Sequence, residues 1–171
     1  MLLKAKAPGR YYVLGSLLLL SGTAYAITQT STNVTYSGTL LDALPCAING
    51  GQPIEIDFGD VGVNKVNGQN YAQTFTVMYE CENTSTDKVL RYLGAATTFN
   101  SAAVQSNIPG FGIQLQHQKD GAITLFDVGS TLTIPPDLMA SQFIATPVKN
   151  AGAELQEGSF TSAATLQLEY P

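Results

Sequence analysis

The chain contains no tryptophan, one histidine and two cysteines, and lysine plus arginine account for only 8 of its 171 residues. Each scarcity closes off a class of function. Two cysteines and one histidine cannot supply the four ligands of a closed structural zinc site. Eight basic residues against 13 acidic ones leave a net charge of −5, the wrong sign for a nucleic-acid footprint. Charged residues make up 12%, about half the usual share in soluble proteins, so polarity must come from uncharged groups. Ser, Thr, Asn and Gln supply it, and 16 glycines with 8 prolines break the chain into many turns, as a β-rich protein requires. Long apolar runs are scarce too. The only candidate, residues 11–20, is about ten residues long, well short of the roughly 20 that cross a bilayer.

That run is preceded by Lys4, Lys6 and Arg10 and followed by Ala24-Tyr25-Ala26, the order of a secretory signal peptide with an A-x-A cleavage site. Residues 1–26 are therefore expected to be a signal peptide, and the remainder an exported, soluble domain. The exported part keeps 5 basic and all 13 acidic residues, net −8, which discourages binding to anionic membranes. Cys46 and Cys81 both lie in it. An even count in an oxidising compartment reads as a structural disulfide, the alternative being two free buried thiols. Closing that loop stabilises a fold by roughly 4 kcal/mol in the chain-entropy picture. The C-x-x-C spacing of redox-active pairs is absent.

Periodicity of 3.6 residues is nearly missing, and short alternating stretches between Gly, Asn, Asp and Pro predict an all-β sandwich. Val34, Tyr36 and Leu40 share a face, with Gly38 at the same parity; Ile54, Ile56 and Phe58 repeat the pattern, as do Phe75, Val77 and Tyr79. Further strands are expected over residues 89–93, 112–116, 123–126, 131–134, 142–146 and 162–170. Two features are odd for a self-sufficient sandwich. Residues 27–39 are polar and Thr-rich, and Pro45 separates them from the rest, so they read as an extended arm whose apolar face needs a groove to fill. At the other end, Ala164, Leu166, Leu168 and Tyr170 alternate up to the terminus with no following strand to cover them. An exposed apolar edge of that kind invites strand addition.

Other candidates have plainer readings. His117, between Gln116 and Gln118, is expected in a solvated turn without a catalytic role. Asp57-Phe58-Gly59 matches a kinase motif by letters alone, since the lysine, catalytic loop and glycine-rich loop that give it meaning are absent. Asp57 and Asp60 read as surface charge rather than a catalytic carboxylate pair. Asn33-Val34-Thr35 and Asn83-Thr84-Ser85 match glycosylation acceptors by pattern alone.

Taken together, the exported part resembles the pilin subunits of bacterial chaperone–usher fimbriae along its whole length. The segment NVTYSGTLLDALPC is similar to the family's donor strand and first cysteine, IDFGDV to the strand that follows, and GFGIQLQHQKDGAITL to its hairpin. Tyr170 is penultimate and Gly158 lies 14 residues from the end, as in the family's terminal zipper. The resemblance implies an incomplete immunoglobulin-like β-sandwich lacking its last strand, with an N-terminal donor-strand arm over residues 27–45 and a pilin domain over 46–171. It implies a donor face of Thr32, Val34, Tyr36, Gly38 and Leu40, and a chaperone-binding terminal strand of Gly158, Ala164, Leu166, Leu168, Tyr170 and Pro171, whose carboxylate the chaperone anchors. Residues 27–33 make the arm's free end somewhat long for the family.

The partners so implied are a periplasmic fimbrial chaperone, an outer-membrane usher and neighbouring pilin subunits. The localisation implied is passage through the periplasm to a cell-surface fimbrium. No cofactor or metal is expected, and no enzyme, because no nucleophile–base pair or metal cluster is visible. The function expected is that of a structural subunit supporting adhesion, in a minor or adaptor position. The alternative is a single-domain adhesin binding a host receptor, a glycan or a protein, through a loop such as residues 83–87 or 97–109.

Overall fold

The computed structural model describes residues 32–39, 46–82 and 85–170. These fall into two units, a short N-terminal segment and a body beginning beyond Thr39. The predicted signal peptide lies outside the described residues. Residues 32–39 are extended, exposed throughout and paired with no strand.

The described residues of the body form nine strands: β1 (Cys46–Ile48), β2 (Gln73–Cys81), β3 (Lys88–Gly94), β4 (Ala103–Gln105), β5 (Phe111–Lys119), β6 (Ala122–Leu125), β7 (Thr131–Ile134), β8 (Ala140–Lys149) and β9 (Ala164–Glu169). All pairings are antiparallel. Strands β1-β2-β8-β5-β4 run in that order across a six-stranded sheet, with β6 beside β4 on the free edge of β5; the second sheet is β7-β3-β9. Between the sheets lies one core containing Val77 and Tyr79 from β2, Leu90 and Tyr92 from β3, Leu115 from β5 and Phe143 from β8. Its rows are the period-two alternation of the sequence made solid, since every second side chain of a strand faces one side. Phe143 stacks on Phe75 at 5.9 Å and lies 5.1 Å from the His117 ring.

Local chemistry sets the connections. Asp120 (φ 51°) and Gly121 (φ 81°) take the two left-handed positions of the β5–β6 hairpin, a conformation that Asp-Gly adopts readily. Cys46 stands directly opposite Cys81 in the β1–β2 register, and the two are disulfide-bonded. Immediately after β1, Asn49, Gly50 and Gly51 have φ values of 48°, 61° and 77°. This left-handed run swings the chain off the large sheet, and the Asn49 side chain accepts the Met78 N–H at 2.7 Å, where the β1 ladder has ended.

Several sequence expectations need correction. The stretch Ile54, Ile56, Phe58 keeps its alternation but joins no ladder, because no described strand lies beside it. Strands β1 and β4 were not anticipated; three residues each are too few for periodicity to register. Strand β4 occupies part of the 97–109 segment expected to be a loop. His117 is not in a turn: it lies within β5, 8% exposed, because the reversal comes at Asp120-Gly121. Burial, and secondarily the nearby charge of Lys119, hold its pKa below the ordinary histidine value.

Candidate functional site

The missing ladder of residues 52–58 has a counterpart across the molecule. Strand β9 pairs with β3 on one side and with no described strand on the other. Between these two unpaired edges lies a groove of about 1140 Å³. Its first bank is the segment carrying Ile54, Ile56 and Phe58, and its second is β9 with Ala164, Leu166 and Leu168. Its floor is core: Phe75, Tyr92, Val104, Ile113, Leu115 and Ala145 line it. Tyr92 is 2% exposed, and burial pushes its phenol well above the ordinary tyrosine value, so it stays neutral in the floor.

The banks run in opposite directions. At one end β1 lies against β9; at the other, Phe58 meets Phe160 with ring centroids 6.1 Å apart, and Phe160 stands edge-on to Phe111 at 4.9 Å. Ile54, Ile56, Phe58, Leu166 and Leu168 are all only half-buried, and each lines the groove. A void flanked by two strand edges, with apolar side chains facing it from both banks and the floor, has the dimensions and chemistry of one absent strand. Backbone edges left in this way are a template for pairing.

Residues 34–171 match the family described as Fimbrial protein. The chain belongs to the fimbrial protein family. This fimbrial protein is 35% identical over 144 residues to the uncharacterized fimbrial-like protein YfcQ of Escherichia coli K12, covering 81% of this chain and 86% of that one. It is 26% identical to the fimbrial adapter PapF of Escherichia coli, covering 74% of this chain and 80% of the adapter. Its fold superposes on the solved structure of the P pilus adaptor subunit PapF with a TM-score of 0.59 at 25% identity, covering 75% of this chain and 98% of that one. The P pilus rod subunit PapA has the same fold, at a TM-score of 0.56 and 24% identity, covering 81% of this chain and all of that one. The body is thus an immunoglobulin-like pilin sandwich short of one strand, and the family is structural and adhesive, not enzymatic.

The fimbrial fold brings part of the predicted site together. Ala164, Leu166 and Leu168 lie in β9 on the groove; Tyr170 follows the strand, half-buried; Pro171 lies outside the described residues. The predicted strand over 162–170 is shorter than expected, with Ser162 forming only an isolated bridge to Ser106. Gly158 is not on the strand. It lies at the far end, where Val66, Phe111, Leu155 and Phe160 enclose a smaller pocket of about 180 Å³. Of the donor face, Thr32, Val34, Tyr36 and Gly38 are on the extended exposed segment, with Val34 65% and Tyr36 90% exposed; Leu40 lies outside the described residues. Sequence reasoning missed the floor, Tyr92, Val104 and Leu115, because a floor is made by distant strands meeting. The uncovered terminal alternation was the one signal that pointed to it.

Proposed function

We propose that this fimbrial protein is a structural subunit of a chaperone–usher pilus whose groove is filled in trans by a strand from another protein. A periplasmic chaperone lends the first strand after export, and at the outer-membrane usher the arm of a neighbouring pilin subunit replaces it. The chain's own arm, with Thr32, Val34, Tyr36, Gly38 and Leu40 facing inward, does the same for another subunit, and the pilus so built supports adhesion at the cell surface. The observation that carries this reading is the groove of about 1140 Å³ between two unpaired edges. A seated strand satisfies the exposed backbone groups on both banks. Each large side chain it buries contributes roughly 1.5 to 3 kcal/mol, and a row of three or four makes the joint nearly irreversible without a covalent bond.

The test is periplasmic expression of the full chain with and without the cognate chaperone. The chain should be recovered as a soluble chaperone complex and should aggregate or be degraded alone, because it exposes apolar surface and strand edges. A monomeric, cooperatively unfolding chain purified with no chaperone or donor peptide overturns the proposal. Adhesin activity is a second reading, favoured by one relative: the type 1 fimbrin D-mannose specific adhesin of Salmonella typhimurium is 25% identical over 91% of this chain, which spans 50% of that protein. Agglutination by the purified, donor-filled chain, inhibited by mannose, tests it directly.

A further inference from the structure

The two banks of the groove differ in charge. The first, residues 52–60, reads Gln-Pro-Ile-Glu-Ile-Asp-Phe-Gly-Asp and contains no basic residue. With Ile54, Ile56 and Phe58 turned inward, Glu55 and Asp57 are exposed between them, and exposed Asp60 follows. Glu55 lines the groove itself. Among the described residues the one ion pair is Arg91–Glu169, 2.9 Å apart across β3 and β9, so these three carboxylates have no basic partner. On the second bank that same pair already compensates Glu169, while Thr165 and Gln167 are neutral.

A strand seated in the gap lies about 4.8 Å from each bank, with alternate side chains directed to the floor and to solvent. Its solvent-facing side chains stand beside Glu55 and Asp57. Opposite charges at such cross-strand positions attract and like charges repel. The chain's own arm offers Asn33, Thr35, Ser37 and Thr39 there, all uncharged. Resting on the groove-filling reading above, we infer that the acidic bank selects a donor strand with lysine or arginine at its solvent-facing positions. The strand the groove takes best therefore comes from a different protein, not from a second copy of this chain. Charge on the outer side of the joint, where the apolar row has no influence, then biases this subunit against repeating itself in the fibre.

The full chain, held soluble as its chaperone complex, is challenged with three fluorescent peptides. One is residues 32–40 unchanged, one carries Thr35→Lys and Ser37→Lys, and one carries Thr35→Glu and Ser37→Glu. At about 0.05 M salt the lysine peptide should bind roughly two- to fivefold tighter than the unchanged one, and the glutamate peptide weaker by a similar factor, the range expected of exposed pairs. The three should converge near 0.5 M salt, where screening shortens the reach of charge to about 4 Å. Glu55→Gln should narrow the lysine-to-glutamate ratio. Equal binding of the three peptides, or an order that persists at high salt and in Glu55→Gln, overturns the inference. Uptake of none of them overturns the groove reading itself.

Discussion

In the six-stranded sheet Val77, Tyr79 and Phe143 are enclosed, at 0%, 1% and 0% exposure, whereas in the three-stranded sheet Leu166 and Leu168 stay half-exposed, as do Ile54, Ile56 and Phe58 across the gap. All are apolar, all alternate and all face the same interior. What differs is cover: the enclosed residues sit within the core cluster, whereas those at the gap, like Phe75 and Ile113 on the floor, open onto the groove. The apolar row that folding leaves half-wet is thus the one on which the proposed filling strand would act.

That contrast can be broken most sharply at the covered side. Phe143→Ala should cost about 3–5 kcal/mol, the usual range for a fully enclosed phenylalanine, with or without a seated donor strand. Urea denaturation of chaperone-bound and donor-filled protein measures it; a loss below about 1 kcal/mol would show that the enclosed row is not the stabilising one. Cys46→Ser should remove roughly 4 kcal/mol and most of the chaperone-captured yield, since the bridge closes a loop of 35 residues between β1 and β2. Free thiols at both positions in oxidised protein would refute the pairing.

On the open side the effects should depend on occupancy. Leu166→Ala is expected to cost about 2–3 kcal/mol in the donor-filled protein and under about 1 kcal/mol before a strand is seated, because only then is the side chain fully covered. Equal costs in both forms would mean the groove is not filled at β9. Gly38→Leu should leave disulfide formation and chaperone capture unchanged but hinder insertion of this arm into the preceding subunit by about 1–3 kcal/mol, the cost of overpacking. Strand exchange followed on denaturant-free gels checks it, and donation at the wild-type rate would sink the donor assignment.

The smallest effect lies in the enclosed core. Burial lowers the His117 pKa, so the neutral form fits the fold and the unfolded chain binds a proton more readily. Its contribution is complete above the ordinary value of about 6.5 and is lost as pH falls from there through the folded-state value. Urea midpoints of the donor-filled protein at about pH 7.5 and 5 should therefore differ by more in wild type than in His117→Phe, and equal differences would exclude the histidine as the cause.

Much of the β-architecture could be read from alternation, because Phe75, Val77 and Tyr79, or the four residues of β7, each carry enough period to declare a strand. Strand β1 is specified by Cys46 meeting Cys81 rather than by its own three residues, so no local pattern could reveal it. Ile54, Ile56 and Phe58 show the opposite case, a legible strand pattern that joins no ladder among the described residues. His117 was misplaced because glutamines on either side look solvated in a sequence, whereas strand parity turns them outward and the histidine in toward Phe143. Part of the candidate site was readable at the terminal strand, but the floor beneath it required contacts between residues far apart in the chain.

The bridge between the first residue of β1 and the last of β2 also has a mechanical meaning. If the arm carries tension as proposed, the covalent link would deliver load reaching Cys46 straight into β2, a nine-residue strand paired to β8 over six positions. The three-residue ladder of β1 is thereby spared the load. A donor strand lying lengthwise between the two banks would be pulled along its own axis, so its backbone hydrogen bonds resist in shear, together rather than by peeling in sequence. The covalent element is thus placed at a ladder of only three pairs.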